Sequence, residues 1–359
     1  MENLLDLYTD YLLTTPTQAT CTGLSEVLHG QISHDRFTRL LASGKVDSKR
    51  LWEQAKPLVA ELADSSQCVV LGIDDTIQEK PYSEENELVC WHFDHNEART
   101  VKGINLLSAV LTTDELAVPI AAECIRKPIL VPAGSGRLKR KSKVSKHTLF
   151  RRLLDQCWQN TWFKYVAADS WFSSKANMSY IKTRLHREFV MALKTNRLVA
   201  ASQADKQAGR WTSIRRLVAQ EHPLQVWLRG MEFPILVVKQ VFKNGDGTEG
   251  IRYLGASDLN LSSEQILGIY QRRWKTEEYH KSIKQCSKLG ASPAHTPATQ
   301  QAHCMAALMS YVKLEKLKLV HRRNHFALKT QIWIEATRQA LQTMSKLSTT
   351  PNKYAYLTG

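Results

Sequence analysis

Residues 270–284 contain the side chains of this chain that are best suited to chemistry on a phosphate group. Nothing in the segment breaks a helix, so the sequence predicts one uninterrupted helix. On such a helix one face carries a hydroxyl, a guanidinium, a carboxylate and two ammonium groups: Tyr270, Arg273, Glu277, Lys281 and Lys284. A carboxylate held among cations suits a site that binds a metal ion and a phosphodiester together. The alternative is a solvated amphipathic helix with ordinary ion pairs.

Further acids follow two apolar runs that are typical of buried strands. One run ends in Asp74 and Asp75, and the other ends in Asp169. Because alternate residues of a strand face opposite sides, only one of Asp74 and Asp75 points inward. Carboxylates at two strand tips, with Glu277 approaching from the side, suit hard divalent cations that prefer oxygen ligands. In a two-metal site the ions lie about 3.5–4 Å apart and act on a phosphodiester.

The elements that would position these acids follow a recognisable order. A strand, a hairpin over residues 103–125, a helix near 147–159, a strand, a helix and the helix bearing Glu277 form an RNase H-like α/β core. Strand-like periodicity dominates residues 186–258, so a β-rich insertion is expected before the last acid. Residues 126–147 form a loop dense in cations, including Arg140 and Lys141. Such a loop is either solvated or clamps a phosphate backbone.

The amino-terminal region, residues 1–65, has apolar residues at helical spacing. Within it a helix, a glycine-containing break and a second helix are compatible with a helix-turn-helix motif. Ser33 is the expected N-cap of the second helix, which would present Arg36 and Arg39 to DNA. A plain helical hairpin fits the same pattern. Further helices are expected from residue 316 to 359.

Composition favours a polyanionic partner. The 359 residues include 49 Lys and Arg against 34 Asp and Glu, a formal net charge of +15. Nucleic acid fits this balance, as do ribosome-associated and anionic-lipid partners. The 7 cysteines have no CxxC spacing, so neither a zinc site nor a disulfide framework is indicated. No apolar run is long enough for a membrane span, and we expect a cytoplasmic protein.

The spacing Tyr270-x2-Arg273-x3-Glu277-x6-Lys284 resembles the YREK motif of DDE transposases of the insertion-sequence family four type. Asp75 followed by Thr76 resembles the family's first acid, and Asp169 in Ala-Asp-Ser-Trp-Phe resembles its second. The resemblance extends over about residues 65–315. For this reason Asp75 is preferred to Asp74 as the first acid.

This resemblance implies a site and its cofactors. Asp75, Asp169 and Glu277 would ligate two Mg²⁺ ions, for which Mn²⁺ would substitute. Tyr270, Arg273 and Lys284 would hold phosphates near the cut. The family also has a β-rich insertion before the last acid, in agreement with residues 186–258.

Other residues are candidates for contacts with DNA. Lys281, Lys194, Arg140 and Lys141 are placed for phosphate contacts, although a plain surface role fits them as well. Trp274, Trp211 and Trp227 are candidates for stacking on a displaced base. Packing within the protein is the alternative role for each tryptophan.

The sequence therefore predicts a cut-and-paste DNA transposase of a bacterial insertion sequence. It would bind terminal inverted repeats, cleave DNA and join 3′-hydroxyl ends to target DNA, as a homodimer associated with the bacterial nucleoid. A hairpin intermediate is implied by the resemblance alone. The alternatives are a catalytically silent DNA-binding regulator and a structure-selective RNase H-like nuclease. The predicted domains are 1–65 (helical, DNA-binding), 66–185 (first part of the core), 186–258 (β-strand insertion), 259–315 (second part of the core) and 316–359 (helical).

Overall fold

The computed structural model describes residues 2–63, 68–95, 97–216, 222–243 and 245–348. The predicted boundary at residue 65 and residues 349–359 of the predicted carboxy-terminal region lie outside these ranges. The helices are α1 (Glu2–Thr14), α2 (Cys21–Val27), α3 (His34–Ala42), α4 (Ser48–Ala63), α5 (Lys146–Asn160), α6 (Lys175–Ser179), α7 (Gln203–Gln207), α8 (Ser263–Gln271), α9 (Trp274–Gln285), α10 (Pro297–His321) and α11 (His325–Ser348).

The strands all lie between the end of α4 and the start of α8. They are β1 (Val70–Glu79), β2 (Cys90–Asp94), β3 (Arg99–Thr112), β4 (Ala117–Cys124), β5 (Ile129–Pro132), β6 (Leu138–Lys141), β7 (Tyr165–Ala168), β8 (Glu188–Leu193), β9 (Leu198–Ala200), β10 (Thr212–Ser213), β11 (Leu224–Leu228), β12 (Ile235–Lys243) and β13 (Glu249–Ala256). Strands β5 and β6 pair within the cation-rich segment that was predicted to be a loop, which is a correction.

One mixed sheet organises the molecule. Its centre has the order β4-β3-β1-β7-β8, in which β1 is antiparallel to β3 and parallel to β7, and β7 is parallel to β8. The first four residues of β1 and all four of β7 are buried, because helices cover both faces of the sheet there. This mixed α/β arrangement fits an RNase H-like fold and agrees with the order of elements predicted from the sequence.

The strands in residues 186–258 continue the same sheet. Strand β8 pairs in parallel with β7, so the first strand of this range belongs to the central sheet. Strand β13 pairs with the other edge of β8, and β12, β11, β9 and β10 follow in that order. The β-strand insertion was predicted to begin at residue 186, whereas β8, the first strand after that residue, pairs with β7 of the central sheet. The local pattern of a segment predicts a strand but not the neighbours of that strand in the sheet.

The amino-terminal helices pack onto this core. Helix α4 lies against β4, and α1, α3 and α4 contact α10. Tyr8 of α1 hydrogen-bonds through its hydroxyl to His303 Nδ1 of α10 at 2.8 Å. Ser33 caps α3 as predicted by accepting from the Asp35 backbone N–H, and Arg36 and Arg39 are exposed. Among the described helices, none is long and apolar enough to cross a membrane.

Residues 270–284 do not form one helix, which corrects the prediction. Helix α8 ends at Gln271 and α9 begins at Trp274, with Arg272 and Arg273 in a turn between them. Arg272 is held outside by Asp114, with Nη2 and Oδ1 2.7 Å apart, while Arg273 turns inward. The turn thus carries two adjacent guanidinium groups that lie in different environments.

Strand β1 is also longer than predicted. The acids were expected at its tip, but β1 continues to Glu79, because the long strand β3 pairs with it along its whole length. Asp74 lies opposite Ser108 and Asp75 opposite Leu107. The pairing with β7 nevertheless ends at Gly72, so both acids lie just beyond the end of the parallel pair. Asp169 directly follows β7, as predicted.

Candidate active site

A cavity of about 730 Å³ opens beyond the last paired residues of β1 and β7, beside α9. We call it the acid pocket, because five carboxylates from four parts of the chain line it: Asp74, Asp75, Asp94, Asp169 and Glu277. The cations that line it are Lys146, Lys194, Arg273, Lys281 and Lys284. The structure thus brings the predicted acids together with five cations around one opening.

Arg273 is the central group of this pocket. Its side chain is only 8% exposed, and its guanidinium bridges two carboxylates. Nη1 lies 3.2 Å from Asp74 Oδ2, and Nη2 donates to Glu277 Oε1 at 2.7 Å. The turn before α9 aims the side chain inward, so the bridge joins the sheet to the helix.

Helix α9 approaches β1 closely because position 72 is a glycine. A Cβ on Gly72 would lie 2.7 Å from Thr276 Oγ1, which no real contact allows. Asp74 is two residues further along β1 and therefore faces the same side as Gly72. The Tyr279 hydroxyl donates to Ser108 Oγ at 3.1 Å and anchors α9 to β3 opposite Asp74. These contacts fix the position of Glu277 relative to Asp74.

Burial perturbs two of the acids. It raises the pKa of Asp74 to about 7, with a further increase from neighbouring Asp169, whereas Arg273 opposes both effects. Burial also raises the pKa of Asp169, although the backbone N–H groups of Phe172 and Trp171 stabilise its charged form. Trp171 N and Phe172 N donate to Asp169 Oδ1 at 3.0 and 3.2 Å. Two buried carboxyls that resist ionisation side by side are typical of a functional site.

Asp75 faces a different neighbour. Its Oδ2 accepts from Lys146 Nζ at 2.8 Å, at the start of α5. Strand alternation thus directs Asp74 towards Arg273 and Asp75 towards Lys146, although both line the pocket. The family resemblance favoured Asp75, but strand alternation alone could not decide between the two, because the choice depends on which helix packs on which face of β1.

The donor set suits a divalent cation, since the five carboxylates offer oxygen ligands. Among the described residues, no three His, Cys, Asp or Glu side chains are grouped as they would be around a metal ion. Arg273 and Lys146 instead form ion pairs with three of the five carboxylates. The chemistry of the site fits a metal, and binding would require these ion pairs to open.

Tyr270 and Lys284, the remaining residues of the YREK spacing, lie in two different environments, and the nearby Lys281 shares that of Lys284. Lys281 and Lys284 line the acid pocket, and burial lowers the pKa of Lys284. Tyr270 lies on α8, is 3% exposed and belongs to a separate apolar cluster. The centroid of its ring is 5.4 Å from Arg273 Cζ. Tyr270 therefore borders Arg273 and does not line the pocket. Because the helix breaks after Gln271, Tyr270 does not share one helix face with Glu277, as the sequence had predicted.

The other predicted DNA contacts lie in several places. Lys194 lines the acid pocket, whereas Arg140 and Lys141 lie on β6, outside it. Trp274 is 50% exposed and lines a separate cavity of about 840 Å³. Trp227 lies under Lys206 Nζ, which is 4.5 Å from its ring, and Trp211 is half-buried. Neither belongs to the acid pocket.

Several residues that line the acid pocket were not among the predicted site residues, including Asp94, His95, Lys146, Trp171 and His280. His280 borders the pocket, and burial, with Lys284 and Arg273 nearby, lowers its pKa to about 3. His280 occurs one helical turn after Glu277, a signal that could have been found, whereas His95 lies on a turn after an edge strand.

A comparison with known families agrees with this geometry. The model of the DDE superfamily endonuclease family matches residues 1–229, which is more than half of the chain. The chain therefore belongs to the DDE superfamily endonucleases. Enzymes of this superfamily cleave DNA and generally use divalent metal ions. The matched range contains Asp74, Asp75 and Asp169 and ends before Glu277. No curated protein matches the chain.

Proposed function

We propose that this endonuclease is the DNA transposase of a bacterial insertion sequence. The observation that carries the proposal is the Arg273 bridge, which holds Asp74 and Glu277 together beside Asp169. All four residues of the YREK spacing are present, and three of them line the acid pocket. Retention of every acid argues against a catalytically silent DNA-binding regulator.

We further propose that Asp74, Asp169 and Glu277 are the metal ligands. The sequence favoured Asp75, but Asp74 is the aspartate of β1 that Arg273 connects to Glu277. These residues would hold two Mg²⁺ ions, or Mn²⁺ in their place. The bound ions would supply the positive charge that activates a water or 3′-hydroxyl and stabilises the leaving oxygen. Asp75 would keep Lys146 at the edge of the site through their ion pair.

The chain's own residues would bind and orient the DNA. Once Arg273 leaves the carboxylates, its planar guanidinium suits a pair of phosphate oxygens, whereas Lys281 and Lys284 act as point charges. The net charge of +15 supports a DNA partner. We propose the element's terminal inverted repeats and target DNA as substrates, in the cytoplasm, with a homodimer holding both ends.

The test uses a donor plasmid carrying the repeats that flank this reading frame, incubated with the protein and Mg²⁺. We expect excision at the repeat ends and joining to target DNA, both lost in Asp169→Asn and Glu277→Gln. Asp74→Asn should abolish cleavage, whereas Asp75→Asn should retain it in part. The opposite order of these two variants would restore Asp75 as the ligand.

Other outcomes identify the rival functions. Cleavage that ignores the repeats and joins no ends would replace the transposase with a structure-selective nuclease. Binding to the repeats without cleavage in either Mg²⁺ or Mn²⁺ would indicate the DNA-binding regulator.

A further inference from the structure

Helix α9 brings an imidazole to the wall of the acid pocket, in the side chain of His280. In the sequence Glu277-Glu278-Tyr279-His280 the first and last residues are three apart, so they lie on the same face of the helix, one turn apart. Both line the acid pocket, whereas Glu278 lines other cavities and Tyr279 is buried. In helical proteins that bind two metal ions, a Glu-x-x-His pair directs a carboxylate and an imidazole inward to the metal site.

The His280 side chain has an unsatisfied buried atom. Its Nε2 is buried and makes no hydrogen bond within the described part of the chain. Arg273 Nε, in the same pocket, is also buried without a partner. A buried polar atom without a partner costs about 1–3 kcal/mol, and a water or an ion commonly satisfies it. The two atoms therefore favour a second arrangement of the pocket in which each has a partner.

The surroundings of His280 keep its imidazole neutral. Burial, with the positive charges of Lys284 and Arg273 nearby, lowers the pKa of His280 to about 3. The ring is uncharged above this pH, so one of its nitrogen atoms carries a free lone pair. Neutral imidazole is the form that coordinates a metal ion.

The guanidinium of Arg273 shows where the pocket holds a positive charge. It lies 3.2 Å from Asp74 Oδ2 and 2.7 Å from Glu277 Oε1, and its charge acts on the His280 imidazole. A metal ion in place of the guanidinium would border two carboxylates and one neutral imidazole. Such a mixed set of oxygen and nitrogen donors suits divalent ions of the first transition series.

We propose that His280 is a further ligand of the metal site, a nitrogen donor beside Asp74, Asp169 and Glu277. The inference rests on the proposed carboxylate ligands and adds the ion preference of the site. Carboxylates suit Mg²⁺ and Mn²⁺, whereas imidazole also suits later transition metals. His280 therefore raises the affinity for Mn²⁺, and more strongly for Co²⁺, relative to Mg²⁺.

The experiment detects the nitrogen ligand directly, without DNA and therefore without cleavage. Mn²⁺ is paramagnetic, and electron spin-echo envelope modulation records nitrogen nuclei that are bonded to it. We expect wild-type protein with Mn²⁺ to show coupling to ¹⁴N, which changes to coupling to ¹⁵N when the histidines are ¹⁵N-labelled. Arg273→Ala removes the guanidinium that the ion must displace, so its coupling should appear at a lower Mn²⁺ concentration.

His280→Gln should remove the nitrogen coupling, because an amide does not offer an imidazole lone pair. It should also weaken Co²⁺ binding, measured by calorimetry, at least about tenfold, since loss of a group that only supports a ligand already costs about 10–100-fold. Mg²⁺ binding should weaken much less, because the carboxylates remain.

His95→Gln is the matched control, because His95 also lines the acid pocket but lies on the turn after β2 and not on α9. This variant should keep the nitrogen coupling and the Co²⁺ affinity of the wild type. Thermal unfolding without metal shows whether each variant is folded, and His280→Asn provides the test if His280→Gln is not.

Mn²⁺ that binds without nitrogen coupling, or with a coupling that His280→Gln retains, would overturn the inference and leave the carboxylate ligands in place. A wild type that binds no Mn²⁺ would overturn both this ligand and the proposed metal site. Nitrogen coupling from His280 in a protein that cuts no DNA with Mg²⁺ or Mn²⁺ would support the ligand and overturn the proposed transposase.

Discussion

At the scale of the residue, the ion-pair partner of each charged side chain defines the site. Arg273 and Arg272 are adjacent and chemically identical, yet one is buried between Asp74 and Glu277 and the other pairs with Asp114 at the surface. Asp74 and Asp75 divide in the same way between Arg273 and Lys146. In each pair of adjacent residues, one is central to the proposed chemistry. A substitution of the other is then the control for a substitution of the first.

Replacing Arg273 with Lys should reduce DNA cleavage about 10²-fold or more, because an ammonium group cannot bridge two carboxylates or a pair of phosphate oxygens as a guanidinium does. Arg272→Lys keeps the charge next to Asp114 and should cleave at close to the wild-type rate. Single-turnover cleavage in Mg²⁺ measures both variants. Equal losses in the two would show that the turn as a whole is needed and that the Arg273 bridge has no special role.

The pH dependence of stability tests the state of Asp74. Its pKa rises from 3.8 to about 7 on folding, so the folded protein binds an extra proton between these values. Asp74 therefore contributes a loss of stability to the wild type as the pH rises from about 4 to about 7. Asp74→Asn lacks this proton equilibrium. The unfolding temperature of the variant minus that of the wild type, measured in EDTA, should increase over this range and level off above it. A constant difference would contradict the raised pKa.

At the scale of the element, helix α9 places the last acid by its close approach to β1. The glycine at position 72 permits this approach, and the Tyr279 hydroxyl fixes the helix to β3. The break between α8 and α9 allows α8 to bury Tyr270 while α9 turns Glu277 towards the sheet. Two short helices therefore place Tyr270 and Glu277 in different environments, which one straight helix would not do because both residues would lie on the same face.

Gly72→Ala should push α9 away from the sheet, destabilise the protein by about 1–3 kcal/mol and reduce cleavage. Adding Thr276→Ala removes the Oγ1 atom that the new methyl group would meet at 2.7 Å, so the double variant should recover much of both losses. Chemical denaturation and single-turnover cleavage measure the two effects.

Gly268→Ala is the control for this series, because a Cβ at position 268 of α8 meets no atom within 4 Å. It should be neutral or slightly stabilising. Failure of Thr276→Ala to rescue Gly72→Ala would mean that the glycine acts through the strand itself and not through the spacing of α9.

At the scale of the whole molecule, the amino-terminal helices and the sheet share one core. Helix α10 lies between them, and buried contacts such as Tyr8–His303 join α1 to α10. This packing leaves the outer face of α3, with Arg36 and Arg39, exposed to solvent. The helix is thus supported by Phe37, Leu40 and Leu41 on one side and available for DNA on the other.

The double variant Arg36→Ala/Arg39→Ala should bind repeat-containing DNA about tenfold or more weakly, with a shallower dependence on salt, because two cations no longer displace counterions. Its unfolding temperature should stay near that of the wild type. Arg322→Ala/Arg338→Ala removes the same charge from exposed positions at α10 and α11. An equal loss of affinity in both double variants would show that only the overall charge matters and would remove α3 as a recognition helix.

The sequence by itself determined the types of most elements and the kind of chemistry. The tip of β7 at Asp169, the helical amino terminus and the spacing of Arg273, Glu277 and Lys284 all follow from local patterns. Local patterns suffice there because hydrophobic period and residue type act over a few neighbouring residues.

Only the tertiary structure decided which side chains meet. The partner of Arg272 is the distant Asp114, the length of β1 depends on β3, and the place of β8 depends on β7. The choice between Asp74 and Asp75 depends on the helix that packs against each face of β1. These partners are distant in sequence, so no local pattern of a segment contains the information about its contacts.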